Sequence, residues 1–285
     1  MSSSSHAAID PVCGMNVASL TRTTKLIHKR KSQIFCSEYC KKRFRETPER
    51  FLGTPLIRCE NVWKVFQKGG VETAALRGLY LNIWEGDFVV IIGASGSGKS
   101  TVLNMIGLLD RPTKGKVFIK GRDASTFSEE ERAQIRSKLF GFVFQQYNLI
   151  PWLTAYENAV LPILFAGGQV DQKAISEEFE RYGLKERMSH LPVELSGGEQ
   201  QRTALLRSLS NNPSVILGDE PTGNLDSKTG MRILNGLIRM HDEQNKTLII
   251  VSHDAGVAAL GHQILTIKDG ISVQDYSAYR SQYTH

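Results

Sequence analysis

The chain has 285 residues, 41% of them hydrophobic and 22% charged, which is typical of a globular protein and excludes a disordered or fibrous chain. Its longest apolar runs have the length of strands, far short of the ~20 residues that a membrane-spanning helix needs. The formal net charge of +6 lies entirely in residues 1–55, which carry ten Lys/Arg and four Asp/Glu, while the rest carries 25 of each.

The basic N-terminal segment has three interpretations. It could be a solvated face, a surface near anionic lipid headgroups, or a positive field that offsets bound thiolates. We expect no nucleic-acid partner, because the segment shows no stacking aromatics and no recognition helix. The first residues lack a charged region followed by an apolar one, so no secretory signal is expected, and disulfides are not expected either.

The first predicted elements form a small module over residues 9–52. The stretch IDPVCGMNV predicts a tight turn that presents Cys13. TTKLI and SQIF are short strand candidates joined by a charged turn, and Ser37 is placed to cap a helix that ends before Pro48. The aromatic residues of the module predict a small core, consisting of Phe35, Tyr39, Phe44 and Phe51.

Cys13, Cys36 and Cys40 are the candidate metal ligands of this module. Cys36 ends a strand and Cys40 lies one helical turn later, so their sulfurs can converge. A segment this small folds with difficulty on apolar burial alone, and three thiolates favour Zn²⁺ or Cu(I). Three buried cysteines without metal, a structural zinc, and a sensing or delivery site all remain open. The fourth ligand is also open, with His28, His6 and solvent as candidates, and we expect Cys59 to serve in packing.

The arrangement of these cysteines resembles the YHS/TRASH family of metal-associated modules, with DPVCGM at its head and FCSEYC at its tail. The resemblance implies a treble-clef-like, Cys-rich α+β module over residues 1–55. It also implies a link to heavy-metal handling, copper included. Ile34 departs from the family pattern, which commonly has an aromatic residue there.

A glycine-rich turn follows the apolar run FVVII. The pattern G-x-x-x-x-G-K-[ST] predicts a phosphate-binding loop between a strand and a helix, in which backbone N–H groups surround phosphates and Lys99 reaches the outer ones. Ser100 can ligate Mg²⁺. The residues expected to contact ATP in this loop are Gly93, Ser95, Gly96, Ser97, Gly98, Lys99, Ser100 and Thr101.

Two consecutive acids follow the apolar run SVILG. Asp219 is placed to hold the Mg²⁺ shell, and Glu220 to polarise a water molecule in line with the γ-phosphate. Between the two apolar runs lies ELSGGEQQR, where Ser196 predicts a helix N-cap and Glu199 stands in capping-box position. Because the start of a helix also binds anions, we expect this one to serve a partner's nucleotide.

These motifs together resemble the ATPase subunit of an ABC transporter from about residue 56 to 275, with LSGGEQQR similar to the family signature: Ser196, Gly197, Gly198 and Glu199. The resemblance implies that Phe66 stacks on adenine, that Gln145 touches Mg²⁺ and couples to the permease, that Asp226 crosses the dimer, and that His253 is the switch histidine. Glu220, His253, Gln145 and Lys99 are the implied catalytic residues; Ser100, Gln145 and Asp219 are the implied Mg²⁺ ligands.

Finer resemblance, in FQQYNLIPWLTAYENAVLPI and GDEPTGNLDSKTG, points to the macrolide-exporter and lipoprotein-release branch. We therefore expect an α/β ATPase domain over residues 56–285, separately cored from the metal module, with a helical subdomain over about 130–200. The implied assembly is a homodimer that sandwiches two ATP molecules on the cytoplasmic face of the cell membrane. Its implied partners are integral membrane permease subunits, with a periplasmic adaptor as a further candidate. The alternatives are a soluble ATPase of the same fold and a metal-sensing switch or metallochaperone without transport.

Overall fold

The computed structural model describes residues 8–18, 20, 22–223 and 225–273. The chain forms two compact units. The first unit comprises Met1–Glu85, Gly93–Thr126 and Leu265–His285; the second comprises Gly86–Ile92 and Phe127–Ile264. Within the described ranges, no helix combines the length and apolar character that crossing a bilayer requires.

The two strands of the N-terminal module have five residues each, and the longest strands are β3 and β4 after it. They are β1 (Thr24–His28), β2 (Lys31–Phe35), β3 (Ile57–Lys68), β4 (Val71–Ile83), β5 (Phe88–Ile92), β6 (Lys114–Ile119), β7 (Arg122–Asp123), β8 (Phe140–Phe144), β9 (Val215–Asp219), β10 (Thr247–Val251), β11 (Gln263–Lys268) and β12 (Ile271–Val273).

The longest helices lie in the C-terminal two-thirds of the chain. The helices are α1 (Glu38–Glu46), α2 (Pro48–Leu52), α3 (Lys99–Ile106), α4 (Glu129–Leu139), α5 (Ala155–Phe165), α6 (Gln172–Arg181), α7 (Gly197–Leu209), α8 (Ser227–Gln244) and α9 (Ala255–Leu260).

The N-terminal module has the elements that the sequence predicts. Strands β1 and β2 pair in antiparallel fashion, with Thr24 opposite Phe35. Helix α1 begins after Ser37, whose side chain accepts a hydrogen bond from the Cys40 backbone N–H, and it ends before Pro48. A hairpin followed by a capped helix, with a tight turn before them, confirms the expected small α+β module.

The core of this module extends beyond the predicted aromatic set. Phe35, Phe44 and Phe51 are buried as expected, whereas Tyr39 is only half-buried. The same buried cluster includes the three predicted cysteine ligands and also Trp84, which comes after β4. The expectation of a core confined to the N-terminal segment is therefore wrong, because the module is too small to enclose its own apolar surface and uses Trp84 to do so.

The rest of the first unit contains a four-stranded antiparallel sheet in the order β4–β3–β6–β7. A two-residue turn joins β3 to β4, in which Gly69 and Gly70 have φ of 58° and 80°. Such a turn matches the twist of its strands and favours glycine at both positions. Strand β4 is an edge strand of this sheet, so one of its sides offers backbone groups to other segments.

The second unit contains parallel strands in the order β5–β10–β9–β8. All residues of β5 and β10 are buried, as expected for parallel strands covered on both faces. Helices α5, α6 and α7 share a second buried cluster, which is made of Ala155, Ala159, Phe179, Leu184, Leu195 and Leu206. The fold is the α/β architecture with helical segments that the sequence predicts.

Candidate functional site

The glycine-rich loop of the first unit turns through three glycines with positive φ. Gly93, Gly96 and Gly98 have φ of 155°, 76° and 108°, and Gly98 directly precedes α3. A side chain at Gly93 would collide with the backbone carbonyl of Ile267, and one at Gly98 with that of Ala75. The loop therefore needs glycine for both its conformation and its close packing, and its backbone stays accessible to a ligand.

Two side chains of this loop point to a bound anion. The Lys99 ammonium is buried and donates hydrogen bonds of 2.9 Å to the carbonyl oxygens of Gly93 and Ala94. The Ser97 hydroxyl is buried and has no hydrogen-bond partner among the residues that the structure describes. Because a buried hydroxyl ordinarily has a partner, the loop fits a phosphate group that would supply one. Ser95, Gly96 and Ser100 are exposed along the same turn, and Thr101 is half-buried.

The second unit brings Glu220 and His253 together. Asp219 ends β9, and Glu220 follows with φ of 46°, held by a 3.0 Å hydrogen bond from its backbone N–H to the carbonyl oxygen of Val251. A non-glycine residue in this conformation is strained by roughly 1–3 kcal/mol, and such strain clusters at functional sites. The Glu220 carboxylate lies 3.3 Å from Nδ1 of His253, whose side chain is 70% exposed.

Gln145 approaches the same carboxylate from the segment after β8. A Cβ added at Gly223 would lie 3.1 Å from Nε2 of Gln145 and 3.4 Å from Oε2 of Glu220. The amide and the carboxylate therefore flank one glycine, with His253 on the other carboxylate oxygen. Among the residues of the second unit, the structure assembles three groups that the sequence assigns to ATP hydrolysis.

The start of α7 has the predicted capping box. Ser196 Oγ accepts a hydrogen bond from the Glu199 backbone N–H, and Glu199 Oε2 accepts one of 2.8 Å from the Ser196 backbone N–H. The hydrogen bond from the Ser196 backbone N–H is the main cause that lowers the pKa of Glu199 to about 2, against the opposing effect of partial burial. Arg187 Nε also donates to Glu199 at 3.0 Å. Ser196 and Gly197 themselves are exposed, and Gly198 is half-buried.

Phe66 and Asp226 occupy exposed positions in their units. Phe66 lies on β3, is 45% exposed, and has the Lys64 ammonium 5.1 Å from its ring centroid. Asp226 caps α8, where its side chain accepts hydrogen bonds from the backbone N–H groups of Lys228 and Thr229. Both side chains are exposed, so the predicted contacts of Phe66 with adenine and of Asp226 with a partner chain stay predictions.

The three predicted cysteine ligands converge in the N-terminal module. The sulfur of Cys36 lies 3.5 Å from the sulfurs of both Cys13 and Cys40, and all three residues are buried. This separation is far beyond the disulfide length of about 2.05 Å. It is near the ~3.8 Å expected between two sulfurs at about 2.3 Å from one tetrahedral ion. The fourth cysteine, Cys59, is buried on β3 outside this cluster, and burial raises its pKa to about 12.

Asp10 is the cluster member that the sequence prediction missed. One ligand atom from each of Asp10, Cys13, Cys36 and Cys40 lies within 4.8 Å of all the others. Asp10 is fully buried, and its oxygens accept hydrogen bonds of 2.8 Å from the backbone N–H groups of Val12 and Cys36. The available signal was its position three residues before Cys13 in DPVCGM. Of the earlier candidates, His28 packs against Phe44 outside the cluster, and His6 lies outside the described residues.

The electrostatics of the cluster favour a bound cation. Burial raises the pKa of Asp10 to about 7. Hydrogen bonds from Cys13 and Cys36 lower the pKa of Cys40 to about 6, so this sulfur is readily ionised. The same hydrogen bonding within the cluster raises the pKa of Cys13 and, against an opposing hydrogen bond from Cys13, raises that of Cys36 to about 11, so the other two thiols ionise when a metal binds. Thiolates are the form that binds metal, and a buried set of three sulfurs and a carboxylate lacks a compensating positive charge of its own. These four residues therefore fit a metal such as Zn²⁺.

Two protein families match separate parts of the chain. The ABC transporter family matches residues 76–223, and the YHS domain family matches residues 8–54. The second match covers the hairpin, the helix and the four clustered ligand candidates. The first covers the phosphate loop, the capping box and the paired acids.

Curated relatives and solved structures match the larger part of the chain. An ABC transporter ATP-binding protein of Thermotoga maritima is 49% identical over 74% of this chain and 90% of its own length. A macrolide export ATP-binding/permease protein MacB of Syntrophobacter fumaroxidans is 42% identical over 76% of this chain. The matched region covers 31% of that relative's length. A dimeric structure of the ATP-binding cassette MJ0796, a protein of Methanocaldococcus jannaschii, bound to ADP and Pi, is 44% identical, with a TM-score of 0.72 over 76% of this chain and 97% of that one.

Proposed function

The chain belongs to the ABC transporter family as one of its ATP-hydrolysing proteins, and from that premise we propose that two copies close on two ATP molecules to drive a separate membrane permease. Each composite site would join the phosphate loop of one chain to the start of α7 in the other. We also propose a division into a metal-binding module over residues 1–55 and an ATPase domain over 56–285, with a helical subdomain over about 130–200.

The exposed, capped start of α7 is the observation that carries this proposal. Ser196 and Gly197 are exposed, and their conformation is fixed from within the chain by Glu199. A fixed helix N-terminus with accessible backbone N–H groups is an anion-binding element. Because each chain already has a phosphate loop, this second element is best used on the partner's nucleotide. The dimeric structures of the similar cassette MJ0796 support such an assembly.

Binding of ATP would rest on the first unit. Phe66 offers an aromatic face to adenine, and the loop backbone surrounds the phosphates. Lys99 would exchange its contacts with two loop carbonyls for the outer phosphates, gaining a charge-assisted hydrogen bond. The remaining loop residues that we assign to ATP are Gly93, Ser95, Gly96, Ser97, Gly98, Ser100 and Thr101.

Hydrolysis would rest on groups of the second unit. Glu220 is placed to polarise the attacking water, with His253 beside its carboxylate to keep it oriented and to sense the γ-phosphate. Mg²⁺ would neutralise charge that develops on the phosphates. Ser100, Gln145 and Asp219 are the side chains we assign to it. Asp226, exposed at the start of α8, would cross to the partner chain.

The assembly would lie on the cytoplasmic face of the cell membrane. The relatives named as macrolide export proteins combine ATP-binding and permease functions in one name, and this chain spans about a third of their length. We propose integral membrane permease subunits as its partners, with a periplasmic adaptor as a further candidate. The cargo would be handled by those partners.

The N-terminal module would bind one metal ion through Cys13, Cys36 and Cys40. Asp10 is the fourth ligand candidate of the observed cluster. Three sulfurs suit Zn²⁺ or Cu(I), and a carboxylate oxygen shifts the balance toward Zn²⁺, the harder of the two ions. A metal-sensing ATPase without transport is the second candidate function, because the metal-ligand loop contacts a strand of the ATPase region.

A mixing experiment tests the two-chain site. Lys99→Ala and Gly197→Asp chains should each be inactive alone, because each variant damages one half of every composite site. A heterodimer keeps one site with both halves intact, so partial recovery of ATP hydrolysis is expected on mixing. No recovery in a mixture whose heterodimers are demonstrated by tagged pull-down would overturn the proposal. Co-purification of the tagged chain from membranes with an integral membrane protein tests the permease arm.

A further inference from the structure

The loop that carries Cys13 is hydrogen-bonded to the end of β4. The carbonyl oxygen of Cys13 accepts a 2.7 Å hydrogen bond from the backbone N–H of Asn82. The carbonyl oxygen of Val12 accepts another, also 2.7 Å, from the indole Nε1 of Trp84. All four residues are buried. The candidate metal ligand Cys13 is thus hydrogen-bonded through its own backbone to β4, an edge strand of the four-stranded sheet.

The contact is tight as well as polar. A Cβ added at Gly14 would lie 2.5 Å from the backbone N of Asn82 and 2.8 Å from its Cγ. The Trp84 ring also packs edge-on against Phe51 of α2, with centroids 5.3 Å apart. The loop therefore cannot move relative to this end of β4 without breaking two buried hydrogen bonds.

The preceding part of β4 supports the phosphate loop. A Cβ at Gly98 would collide with the carbonyl oxygen of Ala75 and lie 3.3 Å from Cδ2 of Leu76. Gly270 bridges the same two segments, because its carbonyl oxygen accepts from Arg77 N and its N–H donates to the Ser97 carbonyl oxygen. From Leu76 to Asn82 is about 20 Å at the strand rise of about 3.3 Å per residue. One continuous strand contacts both sites.

We propose that β4 couples the two sites, so that metal bound at the cluster formed by Asp10, Cys13, Cys36 and Cys40 tightens nucleotide binding at the phosphate loop. Metal binding fixes the Cys13 loop, and the loop fixes β4 through Asn82 and Trp84. A nucleotide that then binds has less of the strand and loop left to order, so its binding costs less conformational entropy. The proposal rests on the metal site and nucleotide site of the proposed function and adds the link between them.

Thermodynamic linkage makes the proposal quantitative. If metal tightens the nucleotide by some factor, the nucleotide must tighten the metal by the same factor. Couplings of this kind typically amount to about 5- to 150-fold in affinity. Two separately cored domains, as expected from the sequence, would leave nucleotide affinity nearly independent of metal. The shared core around Trp84 is the reason to expect coupling.

The experiment compares full-length protein that has been loaded with Zn²⁺ and desalted with protein stripped by a chelator. Titration with Mg-ADP by calorimetry should give a dissociation constant at least about 5-fold lower for the loaded protein. The reciprocal titration, Zn²⁺ against a chromophoric chelator with and without saturating Mg-ADP, should give the same factor. Amide hydrogen exchange at Asn82 should slow on zinc loading, because that N–H donates to the ligand residue Cys13.

Trp84→Phe is the variant that isolates the link. It keeps an aromatic ring against Phe51 and removes the N–H that donates to Val12, so zinc should still bind. The coupling factor should fall, because only the Asn82–Cys13 hydrogen bond then joins the loop to β4. Trp152→Phe is the control, since that indole is 76% exposed and belongs to the second unit. The control should retain the coupling factor of the parent.

The outcomes separate the link from the proposed function. Zinc bound at about one ion per chain with ADP affinities equal within twofold overturns the link and leaves the metal site standing. Absence of zinc binding overturns both the metal site and the link. A coupling factor that survives unchanged in Trp84→Phe, or that falls equally in Trp152→Phe, removes Trp84 from the route. Amide exchange at Asn82 that does not slow on zinc loading removes β4 from it. Because ADP binds without hydrolysis, failure of the two-chain ATPase model leaves this result unaffected.

Discussion

In the phosphate loop, backbone groups would bind the phosphates of a nucleotide, whereas in the N-terminal cluster side chains would bind a metal ion. Residues 93–98 form a loop shaped by glycines, and residues 99–101 begin α3; several of these residues are exposed. The cluster joins side chains from the turn at Asp10, the end of β2 and the start of α1, all of them buried. A site made of consecutive backbone groups can form once the turn forms, but a site made of distant side chains needs the fold around it.

This difference bears on how each site responds to damage. The phosphate loop depends on conformations that glycine alone adopts readily, and a lost contact there affects the ligand directly. The cluster depends on packing that extends to Trp84, so a change far from the metal can still displace a ligand. The predictions below test each side of this comparison.

The largest effect is expected at Glu220, where a single carboxylate would carry the proton transfer. Glu220→Gln keeps the size and one hydrogen-bonding oxygen but cannot accept a proton, so ATP turnover should fall by about 10²- to 10⁴-fold. ATP binding should persist, because the phosphate loop is unchanged. Steady-state phosphate release and nucleotide titration measure the two quantities. Glu243→Gln, an exposed position on α8, is the matched control and should hydrolyse at the parent rate.

A smaller effect is expected at Gly14, where packing is the limit. Gly14→Ala adds a methyl 2.5 Å from the Asn82 backbone N at a φ of 79°, so both strain and overpacking should destabilise the first unit, by roughly 2–4 kcal/mol together. Gly70→Ala has nearly the same φ, 80°, with no atom within 4 Å of the added Cβ, so it isolates the backbone strain. In urea unfolding, Gly14→Ala should lose clearly more unfolding free energy than Gly70→Ala. Equal losses would contradict the tight packing of the Cys13 loop against Asn82.

The smallest effect is expected at Glu199, whose charge is held by backbone hydrogen bonds. Its folded-state pKa of about 2 lies below the usual value of about 4.5, so its ionised form stabilises the fold above pH ~4.5. That contribution is lost as pH falls from there toward 2. Glu199→Gln should therefore lower the melting temperature at pH 7, consistent with about 1 kcal/mol, and the gap to the parent should narrow below pH 4. A gap that is constant with pH would show that charge plays no part.

The sequence predicted one region far better than the other for physical reasons. The capping box at Ser196 and the cap of the N-terminal helix are local, because each depends on residues three positions apart, and the phosphate-loop motif lies within eight consecutive residues. Asp10 was missed because a carboxylate before a proline looks like an ordinary turn residue. Its role appears only when Cys36, 26 residues later, donates to it.

Trp84 was missed for a related reason. Nothing near it in the sequence links it to the cysteines, since the contact joins residues more than 70 positions apart, as in the hydrogen bond to Val12. The left-handed backbone of Glu220 was likewise invisible, because it depends on the Val251 carbonyl of a neighbouring strand. Long-range packing and hydrogen bonding thus set the features that local patterns left open.

The metal content of the purified protein tests the central claim, that a metal centre is joined to an ATPase. Elemental analysis should find about one metal ion per chain in the parent and in Cys59→Ser, whose thiol is buried outside the cluster. It should find none in the Cys36→Ser/Cys40→Ser double variant, which keeps only one of the three sulfurs. Equal metal content in the parent and the double variant, or none in either after anaerobic purification with zinc and copper supplied, would contradict the account.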